Sequence, residues 1–420
     1  MIFSDWSPRF RGEHEMKVLL TVTSWCELCD KQITELKKIE EEFRDVEFVL
    51  IDADERPDIA IRYTPQIYPS ISVITDRGII GGSYGLIESE KLRELISTSI
   101  YLLGGKGKLI KPPEVEKKLP AFSEEYVFRD ILRRCEGYFD WISGGFEREP
   151  KFVSPEVLKL FLKFNDFYHQ SMVSITLDNA IDYLWDNGFY LFSKSIDWKE
   201  PYKVKMSDFN ASMVMILLDA YKTIKDDKYL DYAIKTGEFL KSMTRDDGLI
   251  MNGVAFDKVD TRPFMHVNAL VLEAFYTLGD YEDYSERAKL LLELLSRSGN
   301  HRVDNPESPL YLFDIAHLLR ALTLAREDSL TRKVSSILGH YYGGGGYYDV
   351  TLEFAEREGI GRFKFIYDNS VLAEALINLG RVDDARKIIL DILPSYVYYS
   401  YFNQAQFALV LGEILGKFNN

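Results

Sequence analysis

Histidine and cysteine are scarce in this chain of 420 residues, with six of the first and three of the second. Three cysteines in so long a chain do not make a disulfide framework. No apolar run approaches the roughly 20 residues of a membrane-spanning helix. The opening residues, Met1-Ile2-Phe3-Ser4-Asp5-Trp6, lack the basic and apolar segments of a secretory leader. A cytoplasmic protein with no membrane partner is therefore expected. Basic runs are missing too: the densest lysine group (Lys106, Lys108, Lys111, Lys117 and Lys118) is interrupted by glycine, proline and glutamate. The formal charge of −15 repels a phosphate backbone, so nucleic acid is excluded as a partner.

What is present begins with Trp25-Cys26-Glu27-Leu28-Cys29, directly behind the apolar run Val18 to Val22. A strand feeding a Cys-x-x-Cys that opens a helix puts two thiols at a helix N-terminus, where the dipole favours a thiolate on the first. Two such cysteines close a ring reversibly, as dithiol–disulfide exchange requires. No second Cys-x-x-Cys or Cys-x-x-His completes a zinc site, so neither metal nor cofactor is expected. Cys135 reads as a buried core thiol.

The first hundred residues alternate in the order β-α-β-α-β-β-α. Ile33, Leu36, Ile39 and Phe43 recur at helical spacing, residues 46–51 are a strand, and Asp76-Arg77-Gly78 is a hairpin signal. With Trp25 before Cys26, and Pro69 opening the strand before the hairpin, this stretch resembles the thioredoxin family. The resemblance implies that Cys26 attacks, Cys29 resolves, and Pro69 is a cis-proline facing them. Two departures imply a slower or more specialised exchanger. Leu20 stands where thioredoxins carry a buried acid, and Glu27-Leu28 replaces Gly-Pro, placing a negative charge beside the thiolate.

A Gly/Pro/Lys linker at 106–122 separates a domain at 1–105 from one at 123–420. The second domain reads as twelve helices, and short links near His169, Asp226, Gly279, Glu327 and Arg381 alternate with long ones near Gly145, Ser195, Gly253, Asn305 and Gly345. Alternation of this kind sends every long loop to one end of a ring of antiparallel hairpins. The expected fold is thus an α/β thioredoxin-like domain followed by an all-α (α/α)6 toroid, with a helical solenoid as the alternative. Gly144-Gly145-Phe146 with Pro150-Lys151-Phe152, Asp208-Phe209-Asn210, and Gly345-Gly346-Tyr347 extend the likeness. They resemble a thioredoxin-like family with a helical toroid that includes the animal spermatogenesis-associated proteins. Other such toroids house sugar-acting enzymes, among them the N-acylglucosamine epimerases.

Asp208 and Asn210, His266 and Asn268, Asp314 and His317, and Asp368 and Asn369 open successive helices after long loops. In an inner ring they converge on one mouth and suit a polar small molecule. Helix capping accounts for several of them equally well. His266 and His317 could exchange a proton across a sugar carbon, or Asp208 and Asp368 could serve as acid and base on a glycosidic bond. Three functions follow: a redox protein whose toroid recognises a disulfide-containing protein, a sugar epimerase, isomerase or glycosidase, and a non-enzymatic adaptor.

Overall fold

The computed structural model describes residues 4, 6–7, 15–76, 78–106, 122–297 and 309–418. All of the expected linker except its end residues, 106 and 122, lies outside them, as does the long connection near Asn305. The chain divides into two compact units, Met1–Lys118 with Leu352–Arg362, and Leu119–Thr351 with Phe363–Asn420.

In the first unit, β1 (Met16–Val22), α1 (Cys29–Lys37), β2 (Val46–Asp52), α2 (Pro57–Tyr63), β3 (Ser70–Thr75), β4 (Gly78–Tyr84) and α3 (Ser89–Tyr101) follow the expected order. The sheet runs β2-β1-β3-β4, with β1 parallel to β2 and the other pairs antiparallel. β1 is buried on both faces, which explains its unbroken apolar reading. Val18, Leu20 and Val22 pack under α1 and α3, whereas Leu19 faces Ile59 of α2. Leu20, at the position of the missing acid, is fully buried among apolar neighbours.

A late segment joins this unit, which the sequence did not announce. The helix Leu352–Glu358 and the residues after it supply Ile360 to the apolar cluster of Leu19, Ile51 and Ile59. Arg56 forks between Asp58 (2.9 Å) and Glu358 (2.8 Å).

In the second unit, α5 (Pro155–Leu162), α7 (Ser207–Ile224), α9 (Met265–Leu278), α11 (Leu312–Ala325), α14 (Ile366–Asn378) and α16 (Tyr401–Ile414) each touch the next, and α16 returns to α5. That closure makes a toroid rather than a solenoid. The outer helices are α4 (Glu124–Gly137), α6 (Phe167–Asn179), α8 (Asp227–Ser242), α10 (Ser285–Arg297), α12 (Asp328–Ile337) and α15 (Val382–Ile392), while α13 is the helix Leu352–Glu358 of the first unit. Inner helices are apolar nearly all round because they are buried on both sides. Outer ones such as α12 and α15 bury a single stripe.

Two sequence expectations give way here. The link expected near His169 lies earlier, because Asp166 caps α6 by accepting from the His169 N–H. His169 instead lies in the first turn of α6, held between Asp166 (2.7 Å) and Glu136 (3.1 Å). The long loops also build a small sheet, β5 (Val204–Met206), β6 (Gly253–Ala255) and β7 (Lys258–Asp260), from runs too short to read as strands.

Candidate functional site

The paired cysteines form a disulfide, Cys26–Cys29. Cys29 is buried against the apolar cluster beneath α1, while Cys26 is partly covered. Trp25 meets Tyr68 edge-on at 5.6 Å, and the Tyr68–Pro69 peptide is cis. Burial, aided by the charge of Asp54, pushes the Tyr68 phenol up to about 12. The whole motif thus sits on the end of β1 as the thioredoxin pattern requires. Cys135 is free and buried, its thiol pushed up to about 12 by burial.

In the toroid the mouth expected from the sequence resolves into two sets of residues. Asn210, Asn268 and Asn369 were expected to face a ligand, and the structure assigns them elsewhere. Asn210 accepts from the Phe189 N–H (2.7 Å) and donates to the Phe189 and Met206 carbonyls. Asn268 repeats this with Ile250 and Phe264, and Asn369 with Tyr347 and Phe365. Each amide pins the hairpin left by the preceding outer helix to its own inner helix, so both N–H donors and the oxygen are engaged by the scaffold. Gln404 makes a related link, donating to the Tyr396 and Tyr399 carbonyls. Asn268→Ala strips one buried N–H and two carbonyls of their partner, so a loss of about 2–4 kcal/mol is expected in chemical denaturation.

The glycine motifs belong to the same scaffold. Gly145 has φ +70°, and a Cβ there would lie 2.4 Å from the buried Trp198 ring. Lys151, fully buried, binds Asp140 at 2.8 Å and fixes that loop.

His266, Asp314, His317 and Asp368 lie close enough to act on one another electrostatically. Asp314, at the N-terminus of α11, accepts from the Tyr311 N–H (3.1 Å) and stands 3.3 Å from His266 Nδ1. A carboxylate there holds a proton on Nδ1 and leaves Nε2 as the acceptor. His266 is partly exposed (18%). One turn deeper, His317 Nδ1 lies 3.5 Å from Arg320 Nη2. A guanidinium can only donate, so Nδ1 carries the lone pair and Nε2 the hydrogen. Burial, Arg320 and His266 all hold His317 well below its usual range, which keeps it a neutral donor.

Asp368 behaves in the opposite sense. Burial and the neighbouring carboxylates Asp349 and Asp314 raise it to about 8, so it is mostly protonated at neutral pH. Those two neighbours, rather than the Asp208 expected to pair with it, add to the effect of burial. Asp208 accepts from the Phe209 N–H.

Stability should carry the signature of Asp368. Between its unfolded value of about 3.9 and its folded value of about 8, the unfolded chain has lost a proton that the folded one keeps, so stability falls as pH rises. Asp368→Asn should therefore raise the melting temperature at pH 8 and change it little at pH 4, as calorimetry would record.

Beneath this cluster lies a charged network that the sequence reading missed. Glu374 accepts from Lys159 (2.6 Å), Arg320 (3.0 Å) and Gln406 (2.9 Å), and Arg320 also donates to Glu273 (2.8 Å). Burial opposes the Glu374 charge, but Lys159 and Arg320 outweigh it and hold the carboxyl well below its usual range. The available signal was a charged residue well inside several largely apolar helices, such as Arg320 in Leu318-Leu319-Arg320-Ala321-Leu322 and Glu374 in Leu372-Ala373-Glu374-Ala375-Leu376.

The thioredoxin family profile matches residues 5–98. Residues 5–98 are a thioredoxin domain. A comparison with curated proteins finds no match. Among solved structures, cellobiose 2-epimerase from Spirochaeta thermophila superposes with a TM-score of 0.54 at 15% identity, covering 73% of this chain and 99% of its own. A D-mannose isomerase gives 0.55 at 11%, covering 71% and 99%. The alpha-mannanase from Bacteroides thetaiotaomicron gives 0.52 at 11%, covering 70% and 96%. At such identities the likeness establishes the fold: the chain joins a thioredoxin domain to an (α/α)6 toroid of the kind found in sugar epimerases, isomerases and glycosidases. Among the described residues no helix is long and apolar enough to cross a membrane, and no group of acids, histidines and cysteines could hold a metal ion.

Proposed function

We propose that the toroid moves a proton on the carbon next to the carbonyl of an open-chain sugar, in the manner of an epimerase or isomerase. The observation that carries this is the pair of imidazoles with opposite partners, a carboxylate at His266 Nδ1 and a guanidinium at His317 Nδ1. His266, oriented by Asp314, presents an acceptor nitrogen, and His317, fixed by Arg320, presents a donor. In this reading His266 Nε2 takes the proton and the C–H electrons form an enediol. The His317 Nε2–H steadies the carbonyl oxygen, and the protonated Asp368 delivers a proton to it. His266 returns its proton to the neighbouring carbon to give an isomer, or to the original carbon after the enediol has turned over to give an epimer, and Asp368 takes its proton back from the oxygen that becomes the carbonyl. The likeness to an epimerase and a mannose isomerase supports the same reaction class.

Incubation with a panel of aldoses, ketoses and reducing disaccharides tests this. Appearance of an epimer or ketose supports the reading, and no conversion of any member ends it.

The disulfide favours a second role for the first unit, dithiol–disulfide exchange on a disulfide-containing protein, with Cys26 attacking and Cys29 resolving. Insulin reduction with a thiol donor should require Cys26. Equal rates for wild type and Cys26→Ser would remove this role.

A further inference from the structure

The charged network floors a cavity of about 210 Å³ inside the ring. Its lining reaches the C-terminal ends of the inner helices, with Asp219 on α7, Glu273 and Thr277 on α9, Leu324 on α11 and Asn378 on α14, and includes Glu156 and Tyr367 from the first turns of α5 and α14. Leu324 is half exposed (50%) and Asn378 is exposed, so the cavity opens among the short connections. His266 and Asp368 open the same helices at their other ends. His266, Asp314, His317 and Asp368 do not line the cavity, which meets their cluster at Arg320 and Tyr367.

Its chemistry is unbalanced. Four carboxyl groups line it, Glu156, Asp219, Glu273 and Glu374, against two cations, Lys159 and Arg320. Glu374 takes both cations, and Arg320 is shared with Glu273. That leaves Glu156 with only a long contact to the Tyr367 hydroxyl (3.4 Å). Asp219 has no hydrogen bond or ion pair among the described residues, although Lys159, Lys163 and Lys222 act on it from a distance. Burial raises Glu156 and Asp219, and raises Glu273 in spite of its pairing with Arg320. Met215, Ile216 and Leu270 add an aliphatic stretch to the lining. The volume exceeds the roughly 150 Å³ that admits a benzene ring, so there is room for a molecule of several heavy atoms.

We propose that this cavity is a binding site for a short aliphatic amine, whose ammonium group pairs with Asp219 and whose methylenes lie against Met215, Ile216 and Leu270. The ligand supplies the positive charge that the lining lacks, and the apolar walls select a hydrocarbon chain over a sugar.

Titration calorimetry of the full chain with 1,4-diaminobutane, against 1,4-butanediol as the uncharged match, tests the site. The amine should bind and the diol should not. Asp219→Asn should weaken amine binding about ten- to a hundredfold. Leu324→Trp, which fills the entrance without touching a charge, should weaken it as well. His266→Gln, which disables the proposed proton transfer, should leave amine affinity unchanged, so the two readings fail separately. Absence of amine binding, equal binding of the diol, or an affinity indifferent to both Asp219→Asn and Leu324→Trp would overturn the proposal.

Discussion

His266→Gln should lower kcat on any sugar the protein converts by about 10²–10⁴-fold, the usual contribution of a positioned general base. The amide keeps the size of the ring and can still donate toward Asp314, but no nitrogen is left to accept a proton. KM should therefore change far less than kcat, because an interaction made only in the transition state is lost. The pH profile gives a second reading of the same site. Asp368 acts in its protonated form, so the rate should fall as pH rises through about 8. His317 is held neutral and donates throughout, so it contributes no acidic limb. Asp368→Asn should remove the alkaline limb along with most of the rate.

The second large effect concerns stability. Glu374→Leu should cost about 3–5 kcal/mol, the penalty for removing one partner of a buried ionic group. Lys159 and Arg320 would each lose an acceptor, and Gln406 would lose its own. The melting transition of the toroid should fall by on the order of 10 °C. A simultaneous Lys159→Met change should recover part of the loss, since the positive charge left without its carboxylate is then removed, while Arg320 keeps Glu273. A single substitution that leaves the transition within about 1 °C of wild type would show that the network carries no such charge.

The two units were legible in the sequence to different depths. The thioredoxin order could be read because each strand and helix carries its own period and the hairpin has its own turn signal. Closure of the toroid followed from alternating loop lengths, a property of connectivity that needs no side-chain detail. The segment 352–362 escaped because its short helix offers a single apolar face, and nothing local to it names Leu19 and Ile59 as the residues it meets.

Within the site, His266, Asp314, His317 and Asp368 could be listed from their places at helix starts, but not their tautomers or protonation. Those depend on Arg320 and Asp349, which are remote or deeper in the ring. Asn210, Asn268 and Asn369 were misread for a physical reason. An amide inside a helix start points either to the lumen or to a neighbouring hairpin, and sequence position is the same in both cases.

The central claim is that a proton leaves the carbon beside a sugar carbonyl at His266. Proton NMR of a converted sugar in D₂O tests it most directly. The account predicts loss of the signal at that carbon as deuterium enters, with the exchange abolished in His266→Gln and unaffected in Cys26→Ser. Conversion without deuterium at that carbon, or exchange that persists in His266→Gln, would contradict it.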